Sequence, residues 1–357
     1  MKRVFKYKMR VALRFMSLLF IACGDTAPEV TFEPSEVDVY LAGVEKGELQ
    51  TTVKVWTNGT AQTIMRADGT LTEVVDMVVH NGKVYVAISD AVGNGAYYWA
   101  DGERVELTSP WETNAWATGI TVHENDVYVS GYIQGKNNST RNVAVYWKNG
   151  TAHLLSEEHP LSQYYARAIA TVNGEVLVAG ESDTKPVIWS ENGAITPLEF
   201  DDYTMNNVRY YMRTISHSDA DLYVYADIVA VFTGYRRMVY WKNGAAHYPV
   251  GRELHNSVTR DFFVKGNDVY IAGASGFYDH AEGGSVINPA AYWKNGEMVL
   301  LGSKTQHGTA HAIGVTSNDD IYAAGREGSR AVLWINGVKQ NIPVGNNSTF
   351  QAMVLVE

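Results

Sequence analysis

A single cysteine in 357 residues excludes any intramolecular disulfide and any zinc site built on cysteine. Charged residues make up only 19% of the chain against 46% hydrophobic, which rules out disordered and coiled-coil classes. Proline is scarce, at 9 residues, and glycine, at 32, shows no three-residue period, so no collagen-like or proline-rich architecture is present. Helical periodicity is almost absent. No Gly-x-Gly-x-x-Gly stands between a strand and a helix, and no Gly-x-Ser-x-Gly elbow occurs, so neither a phosphate-cradling loop nor a hydrolase nucleophile can be located. The ten histidines form no metal-spaced set. His307 and His311 are four apart, but on a loop and a strand they share no helix face. No cofactor and no metal are expected.

The N-terminal residues carry an address. Lys2, Arg3, Lys6, Lys8, Arg10 and Arg14 come without an acid and are followed by the apolar run Phe15–Ala22. Eight apolar residues are too few to span a bilayer, so the segment reads as an export signal over residues 1–22. The one cysteine, Cys23, directly follows Ile21-Ala22, and the junction resembles a bacterial lipobox with Phe20 where leucine is commoner. That resemblance implies lipidation at Cys23, which anchors a protein without a spanning segment. Gly24 in place of an aspartate directs the expectation to the outer membrane or cell surface. Removing the signal takes away six positive charges and moves the net charge from −10 to −16, a surface that repels phosphate backbones. Nucleic acid is therefore not an expected partner. Residues 23–36 read as a linker.

An internal repeat fills residues 37–357. Its marker is a strand ending in tryptophan followed by a tight turn: Trp56-Thr-Asn-Gly59, Trp99-Ala-Asp-Gly102, Trp147-Lys-Asn-Gly150, Trp189-Ser-Glu-Asn-Gly193, Trp241-Lys-Asn-Gly244, Trp293-Lys-Asn-Gly296 and Trp334-Ile-Asn-Gly337. The tryptophans are spaced by 43, 48, 42, 52, 52 and 41 residues. Asn-Gly between apolar runs specifies a hairpin, because both central turn positions need positive φ. A second turn upstream (Asn81-Gly82, Asn125-Asp126, Asn173-Gly174, Asn267-Asp268) precedes an alternating strand. Each unit thus holds four short antiparallel strands, the content of one propeller blade. Residues 349–356 match only the first strand of a unit, and the N-terminal unit lacks that strand. The expected fold is all-β: a closed seven-bladed propeller whose first blade is completed by the C-terminal strand. The tryptophans are expected to pack between neighbouring sheets, and the Asn-Gly pairs to serve as turns and nothing more.

The repeats resemble those of exported bacterial β-propeller lipoproteins with Tyr-Trp-Lys-Asn-Gly motifs, over residues 37–357. WD40, kelch and sialidase signatures are missing. The resemblance implies the architecture and supplies no catalytic residue.

Strand alternation puts the A–B and C–D turns on one face and the B–C loops and D–A links on the other. Only the second set varies in length (132–142, 227–237, 275–288, 156–164, 199–209), which makes it the expected functional face. Aligning the inner strands on Met77, Ile120, Ile169, Ile215, Phe262, Ile313 and Met353 puts Val75, Thr118, Arg167, Arg213, Arg260, His311 and Gln351 two residues earlier, at the mouth of the central channel. Arginine forks suit carboxylate, sulfate or phosphate. Trp116, Tyr165 and Tyr211 stand beside them as stacking platforms for a sugar or peptide. The competing assignment pairs the arginines internally with Glu73, Asp76, Asp202 or Asp261. The expectation is a monomeric, non-catalytic binding module for a glycan, peptide or envelope protein, touching the membrane through its lipid alone. The alternative is an exported carbohydrate-active hydrolase or lyase with its site at the channel.

Overall fold

The computed structural model describes residues 29–357 apart from 33–35, 69–71, 91–94, 158, 160–161, 184, 200–207, 219, 232–235, 250–256 and 279–285, with no statement about the side chains of residues 29, 138, 277, 278 and 286. The export segment and Cys23 lie outside the described residues.

Seven four-stranded antiparallel sheets follow one another along the chain. Blade 1 pairs Ser348–Val356 with Asp38–Lys46, then Gln50–Thr57 and Thr60–Asp68, so the C-terminal strand is its innermost one. In blades 2 to 7 the innermost strand, A, is Thr72–His80, Ala115–His123, Tyr164–Val172, Val208–Ser218, Val258–Lys265 and Gly308–Val315 respectively. The expected closure is therefore present. Sequence reading missed two features: a two-stranded ladder of Phe277–Tyr278 with Val286–Ile287 inside the loop read over 275–288, and Glu29–Thr31, inside the segment read as a linker, which pairs in parallel with Val338–Asn341 and adds a fifth strand to the outer edge of blade 7. Three residues without a turn or a repeat signature give no periodic signal. The B–C loops are also shorter than read, because strand B of blade 3 continues to Gln134 and that of blade 5 to Ala230.

The core is not one mass but seven clusters, each shared by two adjacent blades, including the junction of blade 7 with blade 1. Each junction takes one repeat tryptophan from the later blade. Trp56, Trp147, Trp189, Trp241, Trp293 and Trp334 are fully buried, whereas Trp99 of blade 2 is half-buried. Three of them also tie down the link entering their own blade: the indole N–H donates to the carbonyl of Pro343 from Trp56 (3.1 Å), of Thr108 from Trp147 (2.9 Å) and of Glu199 from Trp241 (2.6 Å). Burying such a ring while satisfying its N–H is the arrangement tryptophan favours.

The turn asparagines do more than the sequence reading allowed. Asn58, Asn149, Asn243, Asn295 and Asn336 adopt positive φ, as the turn demands. Their side chains also reach across to the start of strand B. Asn149 Nδ2 donates to Asp126 Oδ1 (2.7 Å) while its Oδ1 accepts the Val127 N–H (2.8 Å). The same clasp recurs as Asn243–Asp221, Asn295–Asp268, Asn336–Asp320 and Asn58–Asp38. Where lysine precedes the asparagine, its ammonium completes the clasp: Lys148–Asp126 at 2.9 Å, Lys242–Asp221 at 2.7 Å and Lys294–Asp268 at 3.0 Å, each lysine lying over a tyrosine ring. The Lys-Asn-Gly motif thus locks the two tight turns of a blade together on the face away from the long loops.

Candidate functional site

A cavity of about 560 Å³ fills the long-loop half of the channel. Its wall comes from the first halves of the seven inner strands, and one backbone device shapes it. Every inner strand carries a β-bulge, and the extra residues are Val75, Thr118, Arg167, Arg213, Arg260, His311 and Gln351. These are the seven positions aligned from sequence. A bulged residue leaves the ladder and is re-aimed, and all seven of these positions line the cavity. Opposite the bulge strand B has glycine in five blades. A Cβ on Gly180 would sit 2.0 Å from the Tyr165 carbonyl oxygen, and one on Gly131 2.0 Å from that of Trp116. Glycine inside a strand is the sequence sign of such a bulge, and it was present in Val-Ala-Gly180 and Ile-Ala-Gly273.

Tyr211 also lines the cavity, with the Arg213 guanidinium 5.7 Å from its ring. Trp116 and Tyr165 do not. They form a half-buried aromatic stack beside the mouth with Tyr132, which sequence reading had not singled out. Trp116 stacks on Tyr132 at 5.0 Å, Tyr165 meets Tyr132 edge-on at 4.9 Å, and Arg167 lies 4.3 Å over Tyr165.

The three arginines are not equivalent. Arg167 Nε is 3.1 Å from Glu181, and the Arg213 guanidinium is 3.2 Å from Asp227. Both acids are buried and engaged again: Glu181 accepts the Met212 N–H (3.4 Å), and Asp227 accepts the hydroxyls of Thr259 and Tyr225. None of the acids proposed from sequence forms these pairs, and Asp202 lies outside the described residues. The partners come instead from strand B, at the residue after the bulge-facing Gly180 or Ala226, where cross-strand geometry brings them under the arginine. Arg260 has no hydrogen bond or ion pair from its side chain among the described residues. Solvent in the channel reaches it, but enough protein surrounds it that burial, with Arg213 adding to the effect, lowers its pKa.

Asp76 and Asp261 follow the bulge residue directly and serve a different purpose. An inner strand exposes an unpaired edge to the channel, and these carboxylates cap it. Asp76 accepts N–H groups from Met77 (2.8 Å) and from Ile120 of the next blade (2.9 Å). Asp261 accepts those of Phe262 (2.8 Å) and Ile313 (2.9 Å), with Thr214 Oγ1 at 3.4 Å. Gln351 Oε1 accepts the Val74 N–H (3.1 Å), and Thr118 donates to the Ala166 carbonyl (3.0 Å). With the Glu181–Met212 bond, every junction from blade 1 to blade 7 is crossed by such a link. Burial pushes the Asp76 carboxyl up to about 7 and that of Asp261 to about 6, against the opposing pull of their backbone donors. Burial, reinforced by Arg260 and Arg326, drives His311 down to about 3, so its imidazole is neutral.

No family model matches the chain, and no curated protein matches it in sequence. Solved structures do match. The computationally designed protein Ika8 is 15% identical, with 87% of this chain and 100% of that one covered at a TM-score of 0.40. A catalytically inactive virginiamycin B lyase from Staphylococcus aureus, with quinupristin, is 15% identical over 80% of this chain and 96% of that one, at a TM-score of 0.43. Apo AztD from Citrobacter koseri is 14% identical over 90% and 98%, at 0.41. At these identities and scores none of the three bears on the site or the function of this chain.

Proposed function

We propose that the protein is a lipid-anchored binding module of the cell envelope, non-catalytic, which takes an anionic group of a glycan or peptide ligand into the long-loop half of its channel. One observation carries this reading: Arg260 stands without a partner among the described residues in a cavity of about 560 Å³. Arg260 is exposed to the solvent of the channel, so its guanidinium is free to take an incoming oxyanion without first breaking an ion pair. The half-buried aromatic stack beside Arg167 fits the reading, since it lies next to the mouth on the face with the variable loops.

A carbohydrate-active hydrolase or lyase is favoured by a different observation, the two carboxyls of raised pKa in one cavity. General acid–base work needs a carboxyl oxygen within reach of substrate. Here each of the four oxygens already holds a backbone N–H on the wall. The two aspartates are bound up in joining blades, which supports binding over turnover.

A thermal-shift comparison of acidic and neutral oligosaccharides and peptides tests the binding reading. An acidic ligand present at about a hundred times its dissociation constant should stabilise the protein by about 2.7 kcal/mol, while its neutral counterpart leaves the transition unmoved. Equal shifts from both, or none from either, would sink it. For the anchor, cells grown with an alkyne-bearing fatty acid should label the protein at Cys23, and Cys23→Ser should abolish the label. Label retained in the serine variant would remove lipidation from the proposal.

A further inference from the structure

The seven bulge residues form a ring, but its charge is not evenly distributed. Over blades 4 and 5 the cations are satisfied, Arg167 by Glu181 and Arg213 by Asp227, and both acids are buried and bonded a second time. From blade 6 round to blade 1 the donors are left open. Arg260 has no partner among the described residues. Its electrostatic surroundings contain Asp227, already held by Arg213, and Glu73 on the positive-stabilising side, with Arg213 and Arg236 opposing them. Arg326, on strand B of blade 7 opposite Thr309, also makes no ion pair among the described residues, and it is exposed and close enough to act on His311. His311, kept neutral by burial with both arginines adding to the effect, offers one N–H and one lone pair. Gln351 spends its Oε1 on Val74 and keeps its amide NH₂ without a partner among the described residues.

We infer that the anion subsite lies in this one sector, at Arg260 with His311 and Gln351 beside it on the cavity wall, and that it takes a single carboxylate rather than a doubly charged oxyanion. This rests on the reading of the channel as an anion-binding site, and it replaces the three-arginine set with a different one. The carboxylate specificity follows from the rest of the wall. Glu73, Asp76 and Asp261 line the same cavity. A second negative charge on the ligand would find no second open guanidinium on this wall, since Arg167 and Arg213 are held by Glu181 and Asp227, and would stand among these carboxyl groups instead. A monoanion matches the one uncompensated guanidinium of the wall, and its two oxygens match the guanidinium fork. Sugar acids and the free carboxylate of an amino acid share this chemistry.

Calorimetric titration of the full chain with D-glucuronate and with N-acetylglycine separates the two carboxylate sources. Glucuronate methyl ester and glucose 6-phosphate serve as the neutral and dianionic comparisons. At least one carboxylate should bind, the ester should not, and the phosphate should bind more weakly. Arg260→Gln should weaken binding roughly ten- to hundredfold, the loss of a charge-assisted hydrogen bond. Because Arg260 has no partner among the described residues, the variant should keep the wild-type melting temperature. Arg260→Lys, which retains charge but not the fork, should fall between the two. Arg326→Gln should cost a few-fold, given its exposure, and Arg167→Gln should change affinity by less than that. Carboxylate binding that survives Arg260→Gln but is lost in a folded Arg167→Gln variant would overturn the sector while leaving the anion-binding channel standing. Tighter binding of the phosphate would overturn the monoanion assignment. Failure of every acid to bind would remove the channel reading itself.

Discussion

Deleting residues 348–357 should leave a chain that no longer folds as a monomer. The lost strand, Ser348–Val356, is the innermost of blade 1 and pairs with Asp38–Lys46 over eight register positions. With it go the buried Phe350, edge-on to Trp56 at 5.0 Å, and the buried Ser348 and Ala352. The junction between blades 7 and 1 loses part of its cluster, and Gln351 no longer bridges to Val74. Asp38–Lys46 would then face the channel with an unpaired edge, the feature that recruits foreign strands. Size-exclusion chromatography with light scattering should find oligomer or aggregate in place of monomer. A synthetic peptide of residues 348–357, added during refolding, should restore the monomer. A truncated chain that stays monomeric with an unchanged denaturation midpoint would show that six blades and a partial seventh suffice.

Trp147→Ala should destabilise the protein by about 3–5 kcal/mol, the usual cost of emptying a fully buried aromatic site. The ring fills the cluster between blades 2 and 3 with Ile120, Val129 and Val145, and its Nε1 holds the Thr108 carbonyl of the incoming link. Trp147→Phe should lose less, mainly the N–H bond and part of the ring. Trp189 provides the contrast. It is equally buried, but its Nε1 has no partner among the described residues. Trp189→Phe should therefore cost less than Trp147→Phe, since no hydrogen bond is broken and a buried unsatisfied donor is removed. Urea midpoints of the three variants check the ordering. Equal losses in the two phenylalanine variants would remove the link-pinning role assigned to Trp147.

Much of the architecture was legible because propeller blades repeat short-range rules. The positive φ of Asn149 and Gly150, the alternation of Val127–Val129 and the recurrence of tryptophan are local properties written in adjacent residues, and seven copies make the pattern unmistakable. The bulge positions were legible for the same reason, since strand A has one register and the alignment needed only to count back from Ile169 or Ile215. The function of the Asn-Gly turns was underestimated: the aspartates they clasp, Asp126, Asp221 and Asp268, lie more than twenty residues upstream, and no local rule links them.

What the sequence determined by itself is therefore the blade, the number of blades, the closure by the last strand and the ring of residues that faces the channel, all consequences of backbone periodicity and turn stereochemistry. Which of those residues remain open was decided only by tertiary structure. Glu181 and Asp227 reach Arg167 and Arg213 because strands A and B lie side by side at a bulge, and among the described residues no acid comes within ion-pair distance of Arg260. Asp76 and Asp261 became links between blades because the next inner strand presents Ile120 and Ile313 to them. Pairing and burial depend on distances between separate strands, and those distances exist only once the ring has closed.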